Sequence, residues 1–156
     1  MALSKLNALY GSKFEQMAIR DHADHPRHHG ELRAGCVIDM NNPTCGDVIR
    51  LSVKFDGNTI SELAFSGHGC TISTASASMM TELVRGKTSA DALALAELFS
   101  KMVTGEAVAK DELGDAQFLA GVSKFPQRVK CATLAWNALK KAIETDGHAE
   151  SRTTHA

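Results

Sequence analysis

The four cysteines are the most reactive side chains in this sequence, and their surroundings differ. Cys45 lies in Asn41-Asn42-Pro43-Thr44-Cys45-Gly46-Asp47, a turn-rich loop that holds a thiol and a carboxylate two residues apart. The glycine between them lets both side chains face one point. Cys70 ends Ser66-Gly67-His68-Gly69-Cys70, just after an expected strand and at the N-terminus of an expected helix, behind two glycines that permit close backbone approach. Cys131 falls in the first two turns of the last expected helix, near Arg128 and Lys130, where a positive helix end and neighbouring cations favour the thiolate. If the elements pack so that these three ends converge, they offer three thiolates and one carboxylate, a donor set whose charge and softness suit tetrahedral Zn2+. Cys45, Asp47, Cys70 and Cys131 are the ligands on that reading. The sequence has no C-x-x-C knuckle, so spacing alone also leaves open cysteines that merely share loop positions.

Other polar and sulfur-bearing residues read more plainly. Cys36 opens a β-branched run beside Val37 and Ile38, where a buried free cysteine behaves as a small hydrophobe. His22, His25, His28 and His29 surround Pro26 and precede Gly30. They read as a solvated polar loop, because no cysteine or carboxylate cage accompanies them. His68 flanks Cys70 and is a candidate ligand or proton shuttle, with an exposed loop histidine as the commoner outcome. Met79, Met80, Met102 and Trp136 read as core.

The elements that must position these groups follow from periodicity. Leu3, Leu6, Tyr10, Phe14, Met17 and Ala18 recur at spacings of three and four, which predicts one apolar face of a helix reaching about Asp21. A short strand is expected over Cys36–Met40, and the alternation of Ile49, Leu51, Val53 and Phe55 with polar residues predicts a second over Val48–Phe55. Asp56-Gly57-Asn58 is a turn signal, and a third strand over Thr59–Phe65 completes an antiparallel meander. Ile72, Ser76, Met79, Met80, Leu83 and Val84 then fit a helix ending at Gly86. Thr88 caps another that continues through Val103 to Gly105. The stretch from Glu106 to Phe125 is polar and Gly-punctuated, with one short helix expected near Phe118, Leu119 and Val122, and reads as an insertion or lid. Pro126 starts the last helix, whose Val129, Ala132, Trp136, Leu139 and Ile143 share a face before Gly147. The order is that of an α+β domain, an antiparallel sheet covered on one face. One domain is expected over residues 1–147, with a disordered tail over 148–156.

At 156 residues the chain is long enough to bury roughly 68–70% of its unfolded surface in one core. Apolar residues at 44% and charged residues at 22% exclude disordered and disulfide-scaffold classes. With 17 Lys+Arg against 18 Asp+Glu, the net charge of -1 argues against nucleic acid as a partner. No stretch approaches the ~20 apolar residues that cross a bilayer, and no charged-then-apolar leader is visible, so no membrane partner and a cytoplasmic location are expected. In that reducing compartment the cysteines are expected as thiols or ligands rather than disulfides.

The motifs in order are the Asn41–Asp47 loop, Gly67-His68-Gly69-Cys70, Ser76-Ala77-Ser78-Met79-Met80-Thr81, and Ser123-Lys124-Phe125-Pro126 through Arg128-Val129-Lys130-Cys131-Ala132-Thr133-Leu134. Over about residues 6–146 the chain resembles the SufU-type branch of the IscU-like (NifU N-terminal) iron–sulfur cluster assembly family. The resemblance implies a three-stranded antiparallel sheet packed against helices on one face, with Cys45, Asp47, Cys70 and Cys131 as a metal site at one exposed edge. IscU-type scaffolds of the family assemble a [2Fe–2S] cluster and carry a histidine immediately before the last cysteine, where this chain has Lys130. A charged lysine is no equivalent ligand. The interval between Cys70 and Cys131 is also longer than in the scaffolds, the surplus falling at about 101–121, as in the SufU type.

The SufU resemblance implies a zinc-dependent sulfurtransferase that takes persulfide sulfur from a SufS-type cysteine desulfurase, a pyridoxal-phosphate enzyme, and passes it to a downstream iron–sulfur scaffold. Cys45 would be the persulfide acceptor, freed when a histidine of the desulfurase takes its place on the zinc, and Arg128 a supporting group or a surface ion-pair residue. Two alternatives stand beside this reading: a scaffold for a transient [2Fe–2S] cluster, and a structural zinc module used only for protein interaction.

Overall fold

Val53 and Leu51 face one side of the second strand and Lys54 and Arg50 the other, and this alternation builds the sheet. The computed structural model describes residues 2–146, with side chains for residues 13–145. Its strands are β1 (Cys36–Asn42), β2 (Asp47–Asp56) and β3 (Thr59–His68). They form one antiparallel sheet in the order β1-β2-β3. Ile38 pairs with Leu51, and Leu51 with Phe65, so the apolar set of all three strands falls on one face. The turn at Gly57 has φ 64, as the Asp-Gly-Asn signal required.

Two strands run further than periodicity indicated, and both extensions lead to the same corner. β1 continues to Asn42, which pairs with Asp47 and leaves residues 43–46 as the hairpin loop. β3 continues through Gly67 and His68, opposite Ile49 and Val48. Gly67 has φ 115, and a Cβ there would run into the Val48 carbonyl oxygen, so only glycine carries the strand to its end.

The helices are α1 (Ala2–Asp24), α2 (Thr71–Val84), α3 (Ser89–Val103) and α4 (Pro126–Asp146), with a 3-10 segment over Lys110–Lys124. α4 lies on β1 and β2, and α2 touches β3, so the helices cover one face as expected for α+β. Thr88 caps α3 by accepting the Asp91 N–H at 3.1 Å. Trp136 is buried and stacks on Phe99 with ring centroids 4.5 Å apart, and its Nε1 donates to Ser76 Oγ, which donates to the Ala132 carbonyl at 2.6 Å. It is a packing residue, as the sequence indicated.

Three expectations require correction. In α1, Phe14 and Met17 are 58% and 67% exposed, while Ile19, His22 and Ala23 face the core. The helix docks on α2 and on the 3-10 segment, where Phe14 stands edge-on to Phe118; the side chains of Leu3, Leu6 and Tyr10 lie outside the described residues, as do Gly147 and the expected tail. His22 is therefore not in a solvated loop. It is 3% exposed in α1, with Nδ1 2.7 Å from Ser78 Oγ and Nε2 2.9 Å from Asp115 Oδ2, tying α1 to α2 and to the 3-10 segment. His28 meets Glu82 at 2.8 Å, His29 stands edge-on to Phe65, and His25 is exposed, so the four histidines form no cluster.

The third correction concerns the Gly-punctuated stretch. Leu113, Ala116, Leu119 and Val122 are buried against α3 and α2 at a strict spacing of three. That period stacks side chains on one edge of a 3-10 helix rather than an α-helix. Gly114 (φ 54, ψ −137) kinks the segment, and its Leu113 is fully buried. The stretch is packed into the core, not a lid, and Lys101–Val103 belong to α3. No helix among the described residues is long and apolar enough to cross a membrane.

Candidate metal centre

The hairpin loop between β1 and β2 is held by a single residue. Asn42 accepts the Cys45 and Gly46 N–H groups on its backbone carbonyl at 3.1 and 2.8 Å, and the Thr44 N–H on its side-chain Oδ1 at 3.3 Å. Gly46 completes the turn with φ 73. This geometry puts the exposed Cys45 at the tip and turns Asp47, at the first position of β2, inward to 1% exposure.

Asp47 is the hub. Its Oδ1 accepts the Cys70 N–H at 2.9 Å, and the Cys70 Sγ is 3.9 Å from its Oδ2. A carboxylate on the first free N–H of α2 also complements the positive helix end. The intervening Gly69 makes this approach possible: a Cβ there would lie 2.9 Å from Asp47 Oδ1 and would collide with Ser73 Oγ. Ser73 in turn donates to the Cys70 carbonyl at 3.1 Å.

Cys131 arrives from α4, 2% exposed, with its Sγ 3.5 Å from that of Cys45. Ligand atoms of Cys45, Asp47 and Cys131 all lie within 4.8 Å of one another. Cys70 stands outside that triad but meets it at Asp47. In a tetrahedral zinc site with Zn–S near 2.3 Å and Zn–O near 2.0 Å, neighbouring donors are about 3.5–3.8 Å apart. The Cys45–Cys131 separation of 3.5 Å is close to such an edge, and the 3.9 Å between Cys70 Sγ and Asp47 Oδ2 is longer than one, so Cys45, Asp47 and Cys131 lie close enough to share an ion and Cys70 stands just beyond them.

The protonation of Cys131 differs from the expectation that a helix end and cations would favour its thiolate. Burial pushes its thiol strongly upward, and hydrogen bonding to Asp47, Cys45 and Cys70 adds to the rise. A cation at this point is what reverses that preference.

The remaining candidates sit around the edge. His68 is exposed at the end of β3, and Lys130 is exposed one residue before Cys131. Arg128 is exposed, and among the described residues no ion pair or side-chain hydrogen bond joins it to the four candidate ligands. It lines a groove of about 400 Å³ with Ile19, Ile72 and Phe125. Cys36 is half-buried against the core. The close approach expected at the glycines before Cys70 is found at Gly69, whereas the role of Asn42 in holding the loop was not read from the sequence. The signal for Asn42 was an Asn-Pro pair opening the loop.

Residues 14–132 match the NifU-like N-terminal domain. The iron–sulfur cluster assembly scaffold protein IscU of Streptococcus pyogenes serotype M1 is 57% identical over 154 residues, covering 98% of this chain and 94% of that protein. The zinc-dependent sulfurtransferase SufU of Bacillus subtilis strain 168 is 48% identical over 141 residues, covering 90% and 92%. A crystal structure of a hypothetical protein superposes with a TM-score of 0.82 at 57% identity, over 85% of this chain and 98% of that one. The sheet order, the corner that gathers the cysteines and these likenesses agree, and the chain belongs to the NifU-like N-terminal domain family.

Proposed function

We propose that this chain is a zinc-dependent sulfurtransferase of iron–sulfur cluster assembly, in which Cys45 accepts persulfide sulfur from a cysteine desulfurase of the SufS type. The observation that carries the reading is an asymmetry: Cys45 is exposed on a loop, whereas Asp47 and Cys131 beside it are buried. Cys45 is the most open of the cysteine ligands to a partner's persulfide, with Cys70 half-buried. The 48% identity to a protein named a zinc-dependent sulfurtransferase supports it, and so does Lys130, exposed and cationic where a further neutral ligand would be needed. Zinc, when bound by Cys45, Asp47, Cys70 and Cys131, holds thiolates deprotonated and guards them from oxidation.

The chain's own residues then have distinct tasks. Asp47 and Cys131 anchor from the buried side, Cys70 joins them from the head of α2, and the Asn42-held loop presents Cys45 outward. The Cys45 thiolate attacks the outer sulfur of the donor persulfide. A Cys45 S–S bond forms, the donor S–S bond breaks, and the donor cysteine leaves as thiolate while the proton stays on the transferred sulfur or passes to water. No net oxidation occurs. Arg128, at the rim of the adjacent groove, is assigned a supporting role toward the partner or the leaving thiolate. The sulfur then moves to a downstream iron–sulfur scaffold, in the cytoplasm, a reducing compartment in which thiolate ligands persist.

The test is intact-mass and peptide mass spectrometry after incubating the zinc-loaded protein with desulfurase and cysteine. One added sulfur on Cys45, absent in Cys45→Ser, is expected; a Cys45 that stays unmodified while the desulfurase turns over refutes the assignment. A second reading is favoured by the 57% identity to a protein named a scaffold: the same ligands would hold a transient [2Fe–2S] cluster, kept labile by Asp47. Anaerobic reconstitution that gives charge-transfer absorption and transfer to an apo-acceptor would establish that one instead.

A further inference from the structure

The Cys131 thiol donates to the Cys45 sulfur at 3.5 Å. Cys131 is 2% exposed and Cys45 is exposed, so the first lies on the buried side of the second. A sulfur delivered by a partner arrives on the open side of Cys45. The outer sulfur of a Cys45 persulfide then faces solvent, and the inner one, Cys45 Sγ itself, is the atom within reach of Cys131. Thiol attack on a sulfur–sulfur bond expels the far sulfur, and that sulfur has water in front of it. Closing 3.5 Å to a bonded S–S length of about 2.05 Å takes a movement of about 1.5 Å. The movement falls to Cys45, because residues 43–46 are an exposed hairpin loop, whereas α4 is pinned one residue beyond Cys131 by Ser76 Oγ on the Ala132 carbonyl at 2.6 Å. Cys70 is less well placed: its sulfur is turned to Asp47 Oδ2 at 3.9 Å, outside the group in which Cys45, Asp47 and Cys131 lie within 4.8 Å of one another.

We infer that Cys131 is the resolving thiol of a Cys45 persulfide: when it is not engaged as a metal ligand, it attacks the Cys45 sulfur and expels the outer sulfur as sulfide. The inference rests on the reading of Cys45 as the persulfide acceptor. A Cys45–Cys131 bond forms, the persulfide S–S bond breaks, and the Cys131 proton leaves with the outer sulfur and its hydrogen as hydrogen sulfide. The outer sulfur is reduced and the cysteine pair is oxidised to a disulfide, so no outside reductant enters. While Cys131 serves as a ligand, the sulfur is kept for transfer; a centre stripped of its metal sheds that sulfur and closes on itself.

The test starts from zinc-loaded protein that has taken sulfur from desulfurase and cysteine, is separated from both, and is treated anaerobically with excess chelator. Released sulfide is assayed, and intact-mass and peptide mass spectrometry map the cysteines. About one sulfide per loaded chain is expected, together with a Cys45–Cys131 bridge and a rate that does not change with protein concentration. Cys131→Ser, with thermal melting to report its folding, is expected to keep the added sulfur at least about ten-fold longer, because it lacks the thiol held in reach. If that variant does not fold, the wild-type peptide map decides alone. Unloaded wild type treated in the same way is expected to keep its four thiols, which assigns the oxidation to the persulfide. Added sulfur retained by the chelated wild type, a bridge from Cys45 to Cys70, or a bridge in the unloaded protein would overturn the inference. Protein that carries neither added sulfur nor a bridge before chelation would instead overturn the acceptor reading.

Discussion

Gly69→Ala changes one hydrogen for a methyl group and strikes the centre of the site. Gly69 is not in the left-handed region, so alanine suits its backbone and the cost comes from space alone. The new Cβ would lie 2.9 Å from Asp47 Oδ1 and 3.3 Å from Asp47 Cβ, where ordinary contacts begin near 3.4 Å. Ser73 can rotate away at the cost of its 3.1 Å bond to the Cys70 carbonyl. Asp47 is 1% exposed and has nowhere to go except along β2 or away from α2. A retreat of about 0.5 Å stretches the 2.9 Å bond from the Cys70 N–H beyond the ~3.2 Å limit of a good N–H···O bond. Hydrogen bonds to a charged group are worth about 1.5–3 kcal/mol, and overpacking costs about 1–3 kcal/mol. A loss of about 2–4 kcal/mol in urea unfolding is therefore expected, with zinc released about 10–100-fold faster. Adding Ser73→Ala removes one collision but not the other, so it recovers part of the stability and none of the zinc retention. A Gly69→Ala protein within 0.5 kcal/mol of wild type and equally slow to lose zinc would refute this account of how Asp47 is placed.

His22→Ala leaves a cavity under α1 and removes the link between Ser78 and Asp115, and urea unfolding should show a loss of about 2–4 kcal/mol, whereas Asp115→Ala, 59% exposed at its side chain, should cost under about 1 kcal/mol. Equal effects would refute the role of His22 as a buried tie. Because burial, and then hydrogen bonding with Asp47, Cys45 and Cys70, hold Cys131 as a neutral thiol, zinc uptake must expel its proton. Affinity in a competing-chelator titration should therefore rise at least about ten-fold per pH unit near neutrality, and a flat profile would contradict this. On the open face of the sheet, Arg50 Nε lies 2.8 Å from Asp39 and its hydrogen bonds hold that carboxyl below the usual range. A depressed folded value means the pair supports the fold above the unfolded value and fades as pH falls through the folded one, so Arg50→Gln should slightly raise the midpoint of acid unfolding.

The meander, its turn and the faces of α2, α3 and α4 were legible because alternation and 3.6-residue spacing report burial directly. The strand ends were not: Asn42 and Gly67 are poor strand formers, and their pairing is imposed by the neighbouring strand. Cys45, Asp47 and Cys131 stood out by residue type and by their places at element ends, and the fold brings them together. Asn42 bears no reactive group, so only the distances around it reveal its work. The 3-10 segment extends well beyond the one short helix expected near Phe118, Leu119 and Val122, because a period of three is neither the helical nor the strand spacing that sequence patterns report. His22 was misread because helix α1 continues past the histidine that polarity alone places in a loop.

Elemental analysis of protein purified anaerobically without chelator bears most directly on the claim that the corner of Cys45, Asp47, Cys70 and Cys131 is a zinc centre serving sulfur transfer. About one zinc per chain and no iron is expected from its four donors. Iron accompanied by an equal amount of acid-labile sulfide would contradict the claim and make the chain a cluster scaffold.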